Sequence, residues 1–230
     1  MNLEFWQSRW YEGRIGFHKS AVNPLLTQYF SELDLPIGSQ IFVPLCGKSV
    51  DMVWLAAQGY DVVGVELSEI AVEAFFAEQN ITPTIHQYSD NPAIKYYQGQ
   101  FTSQTTEQTI TLWIADIFAV TSKDIGHVDA VYDRAALIAL PATIRSAYAE
   151  QILRICGKSN DNNKKAPQLL ITLDYDQTKK DGPPFSVTNT QVEQYYGNHY
   201  QIIALKSNTS TLNSAKELTV TEDVWLLKDL

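Results

Sequence analysis

Cysteine is scarce in this chain of 230 residues, with only Cys46 and Cys156 present, so neither a disulfide scaffold nor a Cys/His zinc cluster is available. Long apolar runs are missing too. No stretch of 18 or more apolar residues exists, and the start Met1-Asn2-Leu3-Glu4-Phe5-Trp6 lacks the basic-then-apolar order of a secretory signal, so a cytoplasmic protein is expected. Basic charge is in deficit. Seventeen Lys and Arg face 26 Asp and Glu, for a formal net charge of −9, which argues against nucleic acid or an anionic membrane as partner. An anionic substrate must then be met by a local arginine. Nothing resembles a coiled coil or a long amphipathic interface, and a monomer is the expectation.

Glycine is also missing where two nucleotide motifs require it. Gly47-Lys48-Ser49 matches the end of a phosphate-binding loop, but position 42 is Phe where that loop needs glycine, so nucleotide hydrolysis is not expected. Pro44 and Leu45 likewise replace the glycines of the dinucleotide fingerprint.

What is present is the skeleton of a βαβ unit. The apolar run Ile41-Phe42-Val43 ends in a loop, residues 50–58 read as a helix stopped by Gly59, and Asp61–Val65 leads to Glu66. In such a unit the first loop brings backbone amides to a ligand, and a carboxylate about 20 residues later accepts from ribose hydroxyls. Glu66 stands there, and on pattern alone a solvated loop carboxylate fits as well. Hydrophobic fraction, 45%, and length fit a single domain over 1–230.

The remaining elements follow in order. Residues 1–35 form an aromatic-rich extension expected to cover a site: Trp6 and Trp10 share a helix face, Ile15-Gly16-Phe17-His18 reads as a turn, and Asn23 caps a helix with Pro24 in its first turn. Trp10 can staple the N-terminus to the core or offer its face to a cationic centre. Ser68 is placed at the cap of a helix with Ile70, Ala71, Ala74 and Phe75 inward. Residues 94–114 are strand-like, with a core strand 109–114 running into Asp116 and Ile117. A fourth strand ends at Asp133-Arg134, a helix runs from Pro141 to Gly157, and a fifth strand covers 168–173. Gly182-Pro183-Pro184-Phe185 is a stiff aromatic loop. Two β-like runs, 199–206 and 218–228, are expected to pair as an antiparallel hairpin at the sheet edge. For Cys46 the alternatives are a somewhat acidic thiol at a helix start and a small packing residue.

Five strand–helix units followed by an antiparallel pair, with Phe5-Trp6, Arg9-Trp10, Ile15-Gly16-Phe17-His18, Asn23-Pro24, Pro44-Leu45-Cys46-Gly47-Lys48-Ser49, Gly64-Val65-Glu66-Leu67-Ser68, Asp116-Ile117-Phe118, Tyr132-Asp133-Arg134 and Gly182-Pro183-Pro184-Phe185, closely resemble the bacterial-type thiopurine S-methyltransferase family. The likeness extends to about residue 206. It implies an α/β, Rossmann-like class I methyltransferase fold with a seven-stranded, mostly parallel sheet, helices on both faces and a C-terminal antiparallel hairpin. It also implies S-adenosylmethionine as cofactor and a small-molecule thiol as acceptor, without a metal. By the resemblance, Trp10, Leu45, Glu66 and Arg134 contact the cofactor, Asp116 and Ile117 flank its adenine, and Phe17 and Phe185 border the acceptor. Arg134 is expected to steer the acceptor's anionic end, with Asp133 orienting its guanidinium. An aromatic thiol is largely ionised near neutral pH, so no strong general base is demanded and His18 is not nominated as one. Selenium or tellurium oxyanions, halides, or cofactor binding without catalysis are the competing readings. The polar stretch 157–167 and the Thr/Gln-rich connection 102–108 are longer than the family pattern implies.

Overall fold

A computed structural model describes residues 3–87, 94–103, 107–157, 164–212 and 218–230. Residues 158–163 of the polar stretch and 104–106 of the Thr/Gln-rich connection lie outside the described residues.

The chain opens with α1 (Leu3–Tyr11) and α2 (Pro24–Tyr29), then enters the alternating body: β1 (Gln40–Pro44), α3 (Asp51–Ala57), β2 (Asp61–Glu66) and α4 (Glu69–Glu78). It continues through β3 (Thr84–Gln87), β4 (Lys95–Thr102), β5 (Glu107–Ile114), α5 (Ser122–Ile125), β6 (Ala130–Arg134), α6 (Ala142–Cys156) and β7 (Gln168–Tyr175). Last come α7 (Asn189–Tyr196), β8 (Tyr200–Leu212) and β9 (Leu218–Asp229).

Among the described residues nine strands form one sheet in the order β3-β4-β5-β2-β1-β6-β7-β9-β8. The middle five pair in parallel and are flanked by antiparallel strands on both sides. The C-terminal hairpin stands at the edge, as its two β-like runs predict. The strand count departs from the expected seven because β3 and β4 add a second antiparallel pair at the other edge. Only residues 103–106 separate β4 from β5, too few for a crossover, so β4 must turn back beside β5.

Apolar side chains cover both faces. Leu26, Met52, Leu55, Val72 and Phe75 pack from α2, α3 and α4 on one side, and Tyr148, Ile152 and Val192 from α6 and α7 on the other. In α4 the buried positions are Ala71, Val72, Phe75 and Phe76, whereas Ile70 is 45% exposed. That helix is apolar almost all round, so spacing alone does not fix which stripe faces the sheet. Asn23 caps α2, its side chain accepting from the Leu25 amide at 2.8 Å. Ser68 occupies the cap position of α4, but its side chain makes no capping bond.

From β1 the chain moves outward to β2 and later β5, then returns to the other side of β1 for β6 and β7. The two directions part between β1 and β6, a switch point at whose carboxyl edge open α/β sheets leave a crevice. Among the described residues, no helix is long and apolar enough to cross a membrane.

Candidate active site

At that carboxyl edge lies a cavity of ≈ 540 Å³, within the usual range for small-molecule sites. Its walls come from the ends of β1, β2, β6, β7 and β9 and from the N-terminal extension.

The loop after β1 is shaped by two residues in the left-handed region, Leu45 at φ 47° and Gly47 at φ 53°. A leucine there costs on the order of 1–2 kcal/mol, which persists only where surroundings hold it. Part of that hold is visible. Gly47 donates its amide to Glu66 Oε2 at 2.9 Å, and Cys46 donates to the Val65 carbonyl at 3.1 Å, tying the loop to the end of β2. Glu66 Oε1 accepts from the Ser68 amide at 2.8 Å. Burial pushes the Glu66 carboxyl up, and the amides of Ser68, Gly47 and Leu67 offset part of this. A carboxylate offers about four acceptor sites, so these amides leave acceptor capacity for ligand hydroxyls. Glu66 therefore fits a ribose diol.

Cys46 is packing material. It is buried, its thiol is pushed well up by burial, and its Sγ would sit 2.7 Å from a Cβ built on Gly64.

Trp10 closes the loop from above: a Cβ on Gly47 would lie 3.2 Å from its Cζ2. Phe17 packs edge-on against both Trp10 (5.4 Å between ring centroids) and Trp6 (5.6 Å), and all three line the cavity. The extension thus brings aromatic faces to the site.

Arg134 reaches the cavity from the end of β6, but Asp133 is not its partner. Adjacent strand residues point to opposite faces. Arg134 Nη1 lies 3.7 Å from Asp51 Oδ2, while Asp133 is fully buried on the other face, accepting from Tyr148 Oη at 2.7 Å and the Leu137 amide at 3.2 Å. Burial raises the Asp133 carboxyl to about 6. Asp51 is a buried junction that also accepts from the Asn23 amide (2.8 Å) and Tyr132 Oη (3.0 Å).

The structure brings Trp10, Phe17, Leu45, Glu66 and Arg134 to one cavity. Asp133, Asp116, Ile117 and Phe185 are not on its wall. Asp116 caps its own loop, accepting from the Phe118 amide at 3.0 Å, and Ile117 is fully buried with its carbonyl accepting from Gln151. The Phe185 ring lies beneath the Arg145 guanidinium, 5.9 Å from its centroid, and Pro183 and Pro184 of the same loop face the cavity instead. Sequence reasoning missed Asp51, Tyr132, Lys48, Lys180 and Glu222 on the wall. Lys48 pairs with Glu78 at 2.5 Å, and His18, also on the wall, has its pKa lowered by burial and by the nearby Lys48.

Comparisons with known proteins establish the family. The family model for thiopurine S-methyltransferase matches residues 1–229. The thiopurine S-methyltransferase of Psychrobacter cryohalolentis is 57% identical, covering 99% of each chain, and that of Pseudomonas syringae pv. tomato is 44% identical over 95% of this chain and 91% of the other. Similar solved structures include Burkholderia thailandensis 1,6-didemethyltoxoflavin-N1-methyltransferase with bound S-adenosylhomocysteine (TM-score 0.61, 13% identity, 99% and 87% coverage). An Anabaena variabilis SAM-dependent methyltransferase is also similar (TM-score 0.58, 13% identity, 99% and 95%). At that identity they establish the fold. The chain belongs to the thiopurine S-methyltransferase family and is an S-adenosylmethionine-dependent methyltransferase.

Proposed function

We propose that this chain transfers the methyl group of S-adenosylmethionine to the sulfur of thiopurines and other aromatic or heterocyclic thiols. The observation that carries the reading is a single cavity with Glu66 fixing the Gly47 loop at one end and Arg134, held by Asp51, further along.

When bound, the sulfonium supplies an electrophilic methyl carbon. The chain's task is placement, because an in-line displacement needs sulfur, carbon and nucleophile collinear at roughly 3–3.5 Å. Glu66 accepts from the ribose hydroxyls, the Leu45 backbone borders the methionine portion, and Trp10 presents its ring near the sulfonium. Asp116 and Ile117 follow β5, beside the end of β2, where an adenine extending from a Glu66-bound ribose would pass; Ile117 acts through packing. Arg134 attracts the acceptor's sulfur, anionic in a thiolate and partly negative in a thione, with Asp51 setting its guanidinium in the role first given to Asp133. Phe17 and Pro183–Pro184 flank the acceptor ring, in the place first given to Phe185. The reading includes action as a cytoplasmic monomer.

The test is mass spectrometry of purified protein with methyl-labelled S-adenosylmethionine and a panel of aromatic thiols, 6-mercaptopurine, selenite and iodide. Label on the thiols is expected. Label confined to selenite or iodide, or binding without label, overturns the proposal.

A further inference from the structure

One carboxylate on the cavity wall has no part in the account above. Glu222 of β9 stands directly opposite Leu173 of β7 in the antiparallel register, and both line the cavity. In the sheet order β2-β1-β6-β7-β9, four strand spacings separate its strand from that of Glu66, roughly 19 Å at about 4.8 Å each. The two carboxylates mark opposite ends of the site, with Arg134 on β6, the middle of the three strands between them. Glu66 is spoken for by the cofactor. Glu222 is half-buried, and among the described residues its carboxylate has no hydrogen-bond partner. A half-buried carboxylate without a donor in a ligand cavity is a receptor for a ligand donor.

Resting on the thiol reading of the acceptor, we propose that Glu222 accepts the ring N–H of a heteroaromatic thione and takes its proton as the sulfur is methylated. Heterocycles with sulfur beside a ring nitrogen exist largely as the N–H thione, whose neutral sulfur is a weaker nucleophile than a thiolate. In the step, the acceptor sulfur forms a bond to the methyl carbon and C=S becomes a single bond. The N–H proton passes to the Glu222 carboxylate while the ring nitrogen gains a double bond to carbon. The bond from methyl to the donor sulfonium breaks with its electron pair left on that sulfur. Charge balances: a cationic donor, neutral thione and carboxylate become a neutral thioether, neutral methylthio heterocycle and carboxylic acid.

The surroundings suit a base. Burial raises the proton affinity of Glu222 and the guanidinium of Arg134 lowers it; Tyr132 beside Arg134, Asp51 behind it and Lys180 after β7 are further ionisable groups of the cavity lining. The N-terminal extension and the loop after β1 contribute Arg9, Arg14, His18, Lys19 and Lys48. Arg134 and Glu222 together offer a donor for sulfur and an acceptor for N–H, complementary to an S=C–N–H unit.

The experiment compares wild type, Glu222→Gln and Glu222→Ala on 6-mercaptopurine, an N–H thione, and on thiophenol, which has no ring N–H. Affinity for S-adenosylhomocysteine by calorimetry, and for 6-mercaptopurine in its presence, checks that each variant is folded. Glutamine keeps an acceptor but cannot take the proton, so Glu222→Gln is expected to lower kcat on 6-mercaptopurine by roughly 100-fold or more. Its 6-mercaptopurine Kd stays within about threefold. Alanine loses the acceptor as well and weakens that Kd by roughly tenfold or more. Thiophenol turnover and S-adenosylhomocysteine affinity stay within about twofold of wild type in both variants. Equal losses on the two acceptors, or none on 6-mercaptopurine, overturn the role of Glu222 while leaving the thiol reading standing. Wild type inactive on both acceptors overturns the thiol reading and this proposal together.

Discussion

Gly47 and Glu66, nineteen residues apart, are joined by a 2.9 Å hydrogen bond from backbone amide to carboxylate, and this bond ties the loop after β1 to the carboxylate proposed to hold the cofactor ribose. The loop's left-handed Leu45 and Gly47 sit where that bond can pin them. On the proposed reading, removing the carboxylate therefore has two effects at once: the ribose loses its acceptor and the Gly47 and Ser68 amides lose theirs.

Glu66→Ala is expected to weaken S-adenosylhomocysteine binding by roughly 10- to 100-fold, the worth of one or two bonds to a charged group. Isothermal titration measures it. Gly47→Ala should weaken binding by a smaller factor, because a Cβ there meets Trp10 at 3.2 Å and the residue keeps φ 53°.

Arg134→Ala is expected to raise the acceptor KM or lower kcat by about tenfold. Asp51→Asn should reproduce part of that loss, since it removes the charge facing Arg134. It should also cost about 1–3 kcal/mol of stability, because Asn23, Tyr132 and Arg134 share that carboxylate. Steady-state kinetics and urea denaturation separate the two effects.

Asp133 makes a signed pH prediction. Its carboxyl is raised from 3.8 to about 6 by burial, so between those values the unfolded chain ionises while the folded one stays protonated, and stability falls as pH rises. The loss is complete above about pH 6 and amounts to roughly 3 kcal/mol. Asp133→Asn cannot ionise. Its stability relative to wild type should therefore increase by about that amount between pH 3.5 and 7 in denaturant titrations, and a flat difference would contradict the assignment.

Ala135, at φ 66° just beyond Arg134, is a left-handed non-glycine on the cavity wall. Ala135→Gly should raise the melting temperature by about 1–4 °C, because relief of roughly 1–2 kcal/mol of left-handed strain exceeds the roughly 0.5–1 kcal/mol that glycine's added freedom costs. Calorimetry checks it, and a lower melting temperature would show that the turn is not strained.

These residues also divide what the sequence made legible from what it hid. β1, β2 and Glu66 were readable because a βαβ unit is local: its strands, turn and carboxylate lie within one short span. The five parallel strands and the C-terminal hairpin followed from apolar runs and turn residues. β3 and β4 were not placed, because strand propensity over 94–114 does not say where the chain doubles back. Asp51 was invisible for a different reason. Its partners Asn23 and Tyr132 lie 28 and 81 residues away, and only the sheet brings them together. Glu222 left one faint signal, a Glu-Asp pair inside the apolar run from Leu218 to Leu227, where alternation alone does not say which acid faces a cavity. Phe185 was misread toward the site because a rigid loop fixes that a ring is presented but not to what; Arg145 takes it.

The most direct test of the central claim is where the methyl group lands. Wild-type protein given 13C-methyl S-adenosylmethionine and 6-mercaptopurine should yield, by carbon NMR, an S-methyl product with one S-adenosylhomocysteine formed for each. Label on a ring nitrogen, or S-adenosylhomocysteine formed without a methylated heterocycle, would contradict it.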